Sequence, residues 1–308
     1  MTEIQQIEQN ISKLLGYEIS LQDENNFFTM MKKINIRWFD KFKLEKDFWL
    51  TVILHRIAKE IPEITFKWWT CLNKIYFPYF RLSEDLDFSI SIEDSLVNTN
   101  GKRETFAQKI REKIKHLTTT LWWTLNNDEQ HHKKAQWNEN LKKKEYTYLK
   151  YVLTYPSLYN QSKQSIKIEI TYTNKQHFPW KYKQIQSIFI DPLLENNLFN
   201  NQDIKCLTLE EMITEKCRAT LTRREPAIRD FFDLRYIQTQ GVDIFTHKEI
   251  IIAKCDEVSE RKRSLNGQYD NLEKQITTHL IPVIDDIGNF DLKTIYEQIE
   301  RLQKELFW

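Results

Sequence analysis

The sequence predicts an α+β fold, in which a small mixed sheet is flanked by helices and helical regions lie at both ends of the chain. Two segments predict strands, because residues 85–92, "DLDFSISI", and 165–173, "SIKIEITYT", alternate apolar and polar side chains. A third segment predicts a helix packed on the core, because residues 48–61, "FWLTVILHRIAKEI", combine a dense apolar face with Lys and Arg on the other side.

These patterns predict three regions along the chain. Residues 1–45 form an N-terminal helical extension, and residues 46–205 form the mixed α and β core with a basic helical insertion over 101–150. Residues 206–308 form a helical C-terminal domain. Its first helix is predicted to begin at "TLEE", where Thr208 is the N-cap and Glu211 stands three residues later, as in a capping box.

Bulk properties exclude several classes of protein. The chain is 41% hydrophobic and 29% charged, with a formal net charge of +1. Its net charge therefore gives no electrostatic attraction to nucleic acid or to a membrane surface. The four cysteines have no paired spacing, which indicates a reducing compartment rather than disulfides or a zinc site. The N-terminus resembles no signal peptide, and no apolar run could span a membrane. We therefore expect a cytoplasmic protein.

Three carboxylates are candidate metal ligands. Asp85 and Asp87 are two residues apart on a predicted strand, so their side chains share one face. In "SIKIEI", the isoleucines fill one face and Lys167 and Glu169 the other. If the two strands are neighbours, Glu169 joins the aspartates in a site for two metal ions, with Mg²⁺ favoured and Mn²⁺ as an alternative. An isolated D-x-D on a strand can equally well face solvent with no function.

The stretch around Asp85 and Asp87 resembles the first motif of the AbiEii/AbiGii toxin family. These proteins are nucleotidyltransferases of the polymerase-β-like superfamily. The family pattern is approximately F-K-G-G-T-x-L, a spacer, and R-x-S-x-D-x-D-F. The residues that match it are Phe66, Lys67, Thr70, Leu72, Arg81, Ser83, Asp85, Asp87 and Phe88.

A second matching segment lies far downstream, in "EKCRATLTRREPAIRDFFDLRYI". The family pattern there is E-K-x-x-A…R…R-D-x-x-D-L, and the matching residues are Glu215, Lys216, Ala219, Arg224, Arg229, Asp230, Asp233 and Leu234. Glu169 lies between the two motifs, where the family carries its third carboxylate. Three ordered motifs are far more specific than any one of them.

The resemblance implies a role for each matching residue. Asp85, Asp87 and Glu169 would hold the metal ions, and Glu169 could also serve as base. Lys216 and Asp230 would complete the catalytic set, with Lys216 neutralising the triphosphate as pyrophosphate leaves and Asp230 or Asp233 orienting it. The residues implied in nucleotide binding are Lys67, Trp68, Trp69, Thr70, Ser83, Lys216 and Arg224. Structural ion pairs or a solvated basic face are the alternatives for the second motif.

The chain departs from the family pattern at one place, because Trp68 and Trp69 replace the Gly-Gly pair. Glycine there lets the backbone turn tightly and its N–H groups approach phosphates closely. Two indoles would fill that space. The pair could inactivate the site, or the chain could be rerouted so that both rings pack inward.

A third explanation lies in the genetic code. Some bacterial lineages read UGA as glycine and others read it as tryptophan. Average usage of about 7% predicts roughly twenty glycines in this chain, which has five glycines and nine tryptophans. We hypothesise that codons 68 and 69 are UGA and that the functional protein carries glycine there. The pair Trp122–Trp123 raises the same question.

The resemblance implies a toxin that transfers a nucleotide from an NTP to an RNA, with tRNA as the expected acceptor. It also implies a separate antitoxin encoded nearby and a role in phage defence. Residues 101–150 contain twelve Lys and Arg against six Asp and Glu, which would suit contact with RNA or a solvated surface equally well. The alternatives are a catalytically silent interaction protein and a metal nuclease. A nuclease would not need the second motif.

Overall fold

Strands with alternating apolar residues form one mixed sheet in the first part of the chain. The computed structural model describes residues 9, 11–13, 41–77, 79–125, 135–138, 143–146, 148–173, 176–189, 197–257, 265, 267–284, 287–288 and 290–307. The chain forms two compact units, residues 1–207 and 208–308. Most of the predicted N-terminal extension, residues 1–45, lies outside the described residues.

The first unit combines helices with the sheet. The helices that matter here are α1 (Lys41–Glu60), α2 (Trp68–Cys71), which continues as a π-helix over Leu72–Tyr76, and α3 (Asn100–Thr120). The strands are β1 (Thr65–Phe66), β2 (Asp85–Ser91), β3 (Thr124–Leu125), β4 (Ala135–Asn138), β5 (Lys143–Tyr146), β6 (Tyr148–Pro156), β7 (Lys163–Thr173), β8 (Lys181–Gln184) and β9 (Asp203–Cys206).

Seven of the described strands form a sheet in the order β3-β6-β7-β2-β1-β9-β8, and β4 pairs with β5 separately. β2 and β7 pair in parallel, as do β1 and β9, whereas the remaining pairs are antiparallel. The strands of "DLDFSISI" and "SIKIEITYT" are therefore neighbours, which is the condition for Glu169 to join the two aspartates. Together with the flanking helices, this mixed sheet confirms the α+β fold class.

The two faces of the β2–β7 pair differ in chemistry. Leu86 lies opposite Ile168 and Phe88 opposite Ile170, and all four side chains are fully buried. Successive residues of a strand point to opposite faces, so the polar residues of β2 and β7 lie together on the other face. The apolar face fixes this register, because a slip of one residue would expose the buried side chains.

A buried ion pair joins α1 to the segment before β2. Lys74 lies on the π-helix, and its Nζ donates to Asp47 Oδ2 at 2.7 Å, Thr51 Oγ1 at 2.8 Å and Tyr79 OH at 2.7 Å. Burial lowers the pKa of Lys74, while the Asp47 carboxylate opposes that shift. Three acceptors satisfy all three ammonium protons, so the charge can be buried at the centre of the unit.

α3 ends in a Schellman motif with tryptophan at its key position. Trp122 has φ of +58°, and its N–H donates to the Thr119 carbonyl at 3.3 Å. The N–H of Trp123 donates to the Thr118 carbonyl at 2.8 Å. These are the two hydrogen bonds of the motif, whose left-handed residue is usually glycine.

The predicted helical insertion over residues 101–150 is correct only in its first part. α3 covers residues 101–120 and buries one face through Phe106, Ile110 and Ile114. Beyond it, the described residues form strands β3, β4 and β5 and the start of β6. The alternating, β-branched and aromatic pattern that would have indicated strands is weak here, because these strands are short and rich in lysine.

The second unit is helical, as its sequence predicts. Its described helices are α4 (Leu209–Thr222), α5 (Ile228–Thr239), α6 (Lys248–Asp256), α7 (Tyr269–Gln275), a π-helix over Ile276–Leu280, a 3₁₀-helix over Ile281–Val283, and α8 (Leu292–Phe307). Lys254 of α6 is almost fully buried, and its Nζ lies 2.7 Å from both Glu211 and Glu215 of α4. This buried ion pair fixes α6 against α4.

Thr208 caps α4, because its hydroxyl accepts the N–H of Glu211 at 3.4 Å. We expect Thr208→Ala to lower the free energy of unfolding by about 1 kcal/mol, since the N–H loses its acceptor. Urea denaturation of the wild type and the variant measures this change. Thr246→Ala, in an exposed turn, is the control and should change stability little. Equal effects of the two substitutions would contradict the capping role.

Among the helices that the structure describes, none is long and apolar enough to cross a membrane.

Candidate active site

The polar face of β2 and β7 brings the three predicted carboxylates together. Asp87 lies directly opposite Glu169, and Asp85 lies opposite Lys167. Directly opposed residues on neighbouring strands have backbones about 4.8 Å apart. Three acids from two distant segments therefore share one face, and Lys167 stands among them.

The pKa of Asp87 is shifted far from its ordinary value. Its side chain is 6% exposed, and its pKa is raised to about 7, mainly by burial. Within that net shift, Lys67 and Lys167 act to lower the pKa, and the carboxylates of Asp85 and Glu169 act to raise it. Burial and like charges thus disfavour the ionised form, and a cation bound beside Asp87 would remove this penalty.

Asp85 faces two lysines at the edge of the group. Lys167 Nζ lies 3.8 Å from Asp85 Oδ2. Burial lowers the pKa of Lys46 on α1, while the nearby Asp85 carboxylate opposes that shift. On the other side of Glu169, Lys150 of β6 is its cross-strand partner. Three lysines, Lys46, Lys150 and Lys167, therefore lie near the acids.

The segment between β1 and α2 lies beside Asp87. The N–H of Lys67 donates to the Asp87 carbonyl at 2.9 Å, and the Thr70 hydroxyl donates to the Asp85 carbonyl. Ser83 is 4% exposed, and its Oγ has no hydrogen-bond partner among the described residues. A buried hydroxyl without a partner fits a position that a ligand oxygen or a water molecule completes.

Trp68 and Trp69 stack on two buried cations beside this segment. Lys67 Nζ lies 4.0 Å from the centre of the Trp68 ring, and Arg81 Cζ lies 5.3 Å from the Trp69 ring. Arg81 also donates from Nη1 to the Leu82 carbonyl at 3.1 Å, a local contact in the segment before β2. The indoles therefore occupy one side of each cation.

The second motif forms a buried ionic cluster in the second unit. Lys216 Nζ lies 2.6 Å from Asp233 Oδ2 and 3.9 Å from Asp230 Oδ1. Arg223 Nη1 lies 2.8 Å from Asp230 Oδ2. Lys216 is 4% exposed, so it does not belong to a solvated basic face. Arg224, by contrast, is exposed.

The comparison with known families identifies the family of the chain. The family model for the nucleotidyl transferase AbiEii toxin of type IV toxin–antitoxin systems matches residues 56–305. The chain belongs to this family. Membership implies a nucleotide substrate and an antitoxin partner. The matched region contains β2, β7 and the buried ionic cluster of the second unit.

Two solved structures are similar to this family member, and both come from Helicobacter pylori. JHP933 is 16% identical, with 87% of this chain and 93% of that chain covered and a TM-score of 0.44. A candidate nucleotidyltransferase is 15% identical, with 87% and 95% covered and the same TM-score. No curated protein matches the chain.

Nucleotidyltransferases generally use a divalent metal, and the donor chemistry of this family member suits one. Carboxylate oxygens are hard ligands of the kind that Mg²⁺ takes, and Ser83, two residues before Asp85, has a buried hydroxyl without a hydrogen-bond partner among the described residues. However, no three His, Cys, Asp or Glu side chains within the described residues are already arranged to hold a metal ion. The backbone register of Asp85, Asp87 and Glu169 fits a metal, but their carboxylates do not yet converge on a common point.

Sequence reasoning missed the lysines around the acids. Lys46 lies on α1 and belongs to no motif, so only packing brings it near Asp85. Lys150 had no signal either, because its place depends on the β6–β7 register. Lys167 was placed on the polar face correctly, but its pairing with Asp85 depends on the parallel register of β2 and β7.

Proposed function

We propose that this AbiEii family member is a Mg²⁺-dependent nucleotidyltransferase that transfers a nucleotide from an NTP to an RNA, with tRNA as the acceptor. The observation that supports it most directly is the register of β2 and β7, which places Asp87 beside Glu169 with Asp85 two residues away. The raised pKa of Asp87 is typical of a carboxyl group at a functional site.

The acids and the segment after β1 would divide the work. Asp85, Asp87 and Glu169 would hold Mg²⁺, which supplies charge neutralisation to the triphosphate when bound. Glu169 would accept the proton of the acceptor hydroxyl as that oxygen bonds to the α-phosphorus and pyrophosphate leaves. Lys67, Thr70 and Ser83 would contact phosphate oxygens. The hydrogen bonds of Lys67 to the Asp87 carbonyl and of Thr70 to the Asp85 carbonyl support the assignment for these two residues.

In the second motif, Lys216 and Arg224 would bind the triphosphate, and Asp230 would orient Lys216. Family membership supports this role, and the contact between Lys216 and Asp233 shows what holds the ammonium in place. A buried, doubly flanked lysine is positioned rather than mobile, which is what electrostatic stabilisation of a leaving group requires.

The biological role would be that of the toxin in a toxin–antitoxin pair that acts in phage defence. The family description supports the pairing with an antitoxin. Modification of tRNA would stop translation until the antitoxin intervenes. The basic face of α3 is one surface that could follow the RNA backbone, because exposed Lys and Arg attract phosphates.

Labelled nucleotide transfer tests the activity. Trp68→Gly combined with Trp69→Gly is expected to place label on RNA in the presence of Mg²⁺, since both indoles that cover Lys67 and Arg81 are removed. Each NTP is offered with total RNA and, separately, with tRNA, and the products are resolved on a denaturing gel. The matched control adds Glu169→Gln. Absence of label beside an active reference enzyme would refute the proposal.

A catalytically silent interaction protein is the second candidate. The covering of Lys67 and Arg81 by Trp68 and Trp69 favours it for the chain with tryptophan at both positions. Equilibrium binding of an NTP and Mg²⁺ to that chain separates the two candidates. Tight binding would count against the silent protein.

A further inference from the structure

Two tryptophans hold a backbone conformation that favours glycine. Among the described residues other than glycine, four have positive φ: Trp68, Tyr79, Trp122 and Gln161. The values are +60° at Trp68 and +58° at Trp122. A bulky aromatic residue is a true outlier in this region, because its Cβ crowds the following carbonyl. Half of the outliers are tryptophan, although tryptophan supplies only nine of the 308 residues.

Trp122 occupies the glycine position of a Schellman motif. Both hydrogen bonds of that motif are formed around it, so the helix end requires the left-handed conformation there. Its side chain is 63% exposed, so the packing of the indole does not account for its presence. The conformation thus calls for glycine, and little in the fold calls for tryptophan.

Trp68 occupies an abrupt turn of a different kind. Lys67 is extended, with φ of −142° and ψ of 175°, and α2 begins immediately after it. The chain passes from strand to helix through a single left-handed residue, which only glycine adopts without strain. This turn and the end of α3 are independent structural requirements.

Other tryptophans show that the inference applies to particular positions. Trp49 is 2% exposed and Trp123 is 9% exposed, and their rings meet edge to face at 5.0 Å. Trp123 also stacks on Tyr155 at 4.8 Å. Neither has a positive φ, and both pack as core tryptophans do. Trp49 and Trp123 therefore fit true tryptophan codons. Trp68 and Trp122 fit codons that the source reads as glycine.

We infer that the functional protein carries glycine at positions 68 and 122, each encoded by a UGA codon that its source reads as glycine. The scarcity of glycine in the chain agrees with this inference. Glycine at 68 would also expose the side of Lys67 that Trp68 covers, and loss of the Trp69 ring would do the same for Arg81. This last step rests on the proposed function, in which Lys67 contacts phosphate oxygens. The requirement at position 69 comes from the family pattern and not from backbone conformation.

Peptide mass spectrometry of the protein from its source cells, with the codons read from the same DNA, tests the inference directly. Glycine at 68 and 122 with UGA codons is expected. Tryptophan in the peptide, or UGG in the gene, overturns the inference for that position. This result does not depend on any enzymatic activity.

Thermal denaturation of recombinant variants tests the structural argument at position 122. Trp122→Gly is expected to raise the melting temperature by about 2–4 °C, because the left-handed strain is removed. Trp122→Ala removes the same indole but keeps the strain, so it should raise it less. Trp123→Gly is the matched control, and it should lower the melting temperature because a core ring is lost. A melting temperature for Trp122→Gly no higher than that of Trp122→Ala overturns the argument.

Binding of inorganic pyrophosphate tests position 68 separately from nucleotide transfer. The double variant Trp68→Gly with Trp69→Gly should bind pyrophosphate about tenfold more tightly than the chain with both tryptophans. The double alanine variant, which removes the rings but leaves position 68 strained, should bind more weakly than the glycine variant. Equal binding by all three proteins overturns the inference that glycine at position 68 opens Lys67 to phosphate. Pyrophosphate binding without transfer would refute the proposed function alone.

Discussion

Asp87→Asn is expected to slow nucleotide transfer strongly and, at the same time, to stabilise the metal-free protein above pH 7. The transfer rate should fall on the order of 10³-fold, because a lost metal ligand removes several kcal/mol of charge stabilisation in the transition state. The gain in stability has a separate cause. Asp87 is 6% exposed and lies beside Glu169, so its ionised form is disfavoured in the folded state.

The pH dependence of stability follows from the raised pKa. The pKa of Asp87 rises from 3.8 to about 7 on folding. Between these values the unfolded chain has lost the Asp87 proton while the folded chain keeps it, so the free energy of unfolding falls as pH rises. Above pH 7 both states are ionised and the loss levels off. The full loss is up to about 4 kcal/mol, and Asp87→Asn should not show it.

Urea denaturation with a chelator at pH 5 and pH 8 measures this effect for the wild type and Asp87→Asn. Asp203→Asn is the control, since Asp203 is an exposed carboxyl on β9 of the same sheet. That variant should match the wild type both in the pH dependence of its stability and in nucleotide transfer. Every protein assayed for transfer carries glycine at positions 68 and 69. Unchanged nucleotide transfer by Asp87→Asn would show that Asp87 is not part of the catalytic site.

Lys216→Met is expected to cost about 3–5 kcal/mol in the free energy of unfolding. The substitution leaves the buried carboxylate of Asp233 without its 2.6 Å partner and removes one of two cations near Asp230. Lys248→Met is the matched control on the surface. It breaks the exposed pair with Glu305 and should cost no more than about 1 kcal/mol.

A double variant separates catalysis from structural support at Lys216. Adding Asp233→Asn to Lys216→Met removes both charges and should recover much of the lost stability. If Lys216 neutralises the triphosphate, the recovered protein still transfers no nucleotide. Activity in the double variant would show that Lys216 serves only to hold α4 and α5 together.

The sequence predicts the strands that carry the acids better than the other strands. β7 alternates apolar and polar residues from Ser165 to Thr173 and buries its apolar face, so the sequence pattern of this part is clear. The faces of Asp85, Asp87 and Glu169 follow from that alternation, but their pairing needed the parallel register that only the fold shows. β4 and β5 carry a weak alternation signal, and they were predicted as helix.

The sequence does not predict which charged side chains lie near the acids or where the backbone is strained. Lys46 approaches Asp85 only because α1 packs on the sheet, and no local pattern encodes that contact. The sequence left the burial of Lys216 open, since a lysine on an amphipathic helix is usually solvated. The sequence raised the question at Trp122, but only the left-handed φ and the Schellman hydrogen bonds show why glycine belongs there.

The parallel pairing of β2 with β7 has a consequence for synthesis of this toxin. Asp85 and Asp87 leave the ribosome long before Glu169, and β7 separates β2 from β6 in the sheet. A fragment that ends before Lys163 therefore lacks both the third acid and the strand that aligns the first two. A nascent chain of that length therefore cannot yet form the proposed three-acid metal site, because the contact between β2 and β7 closes only after a long loop has been made.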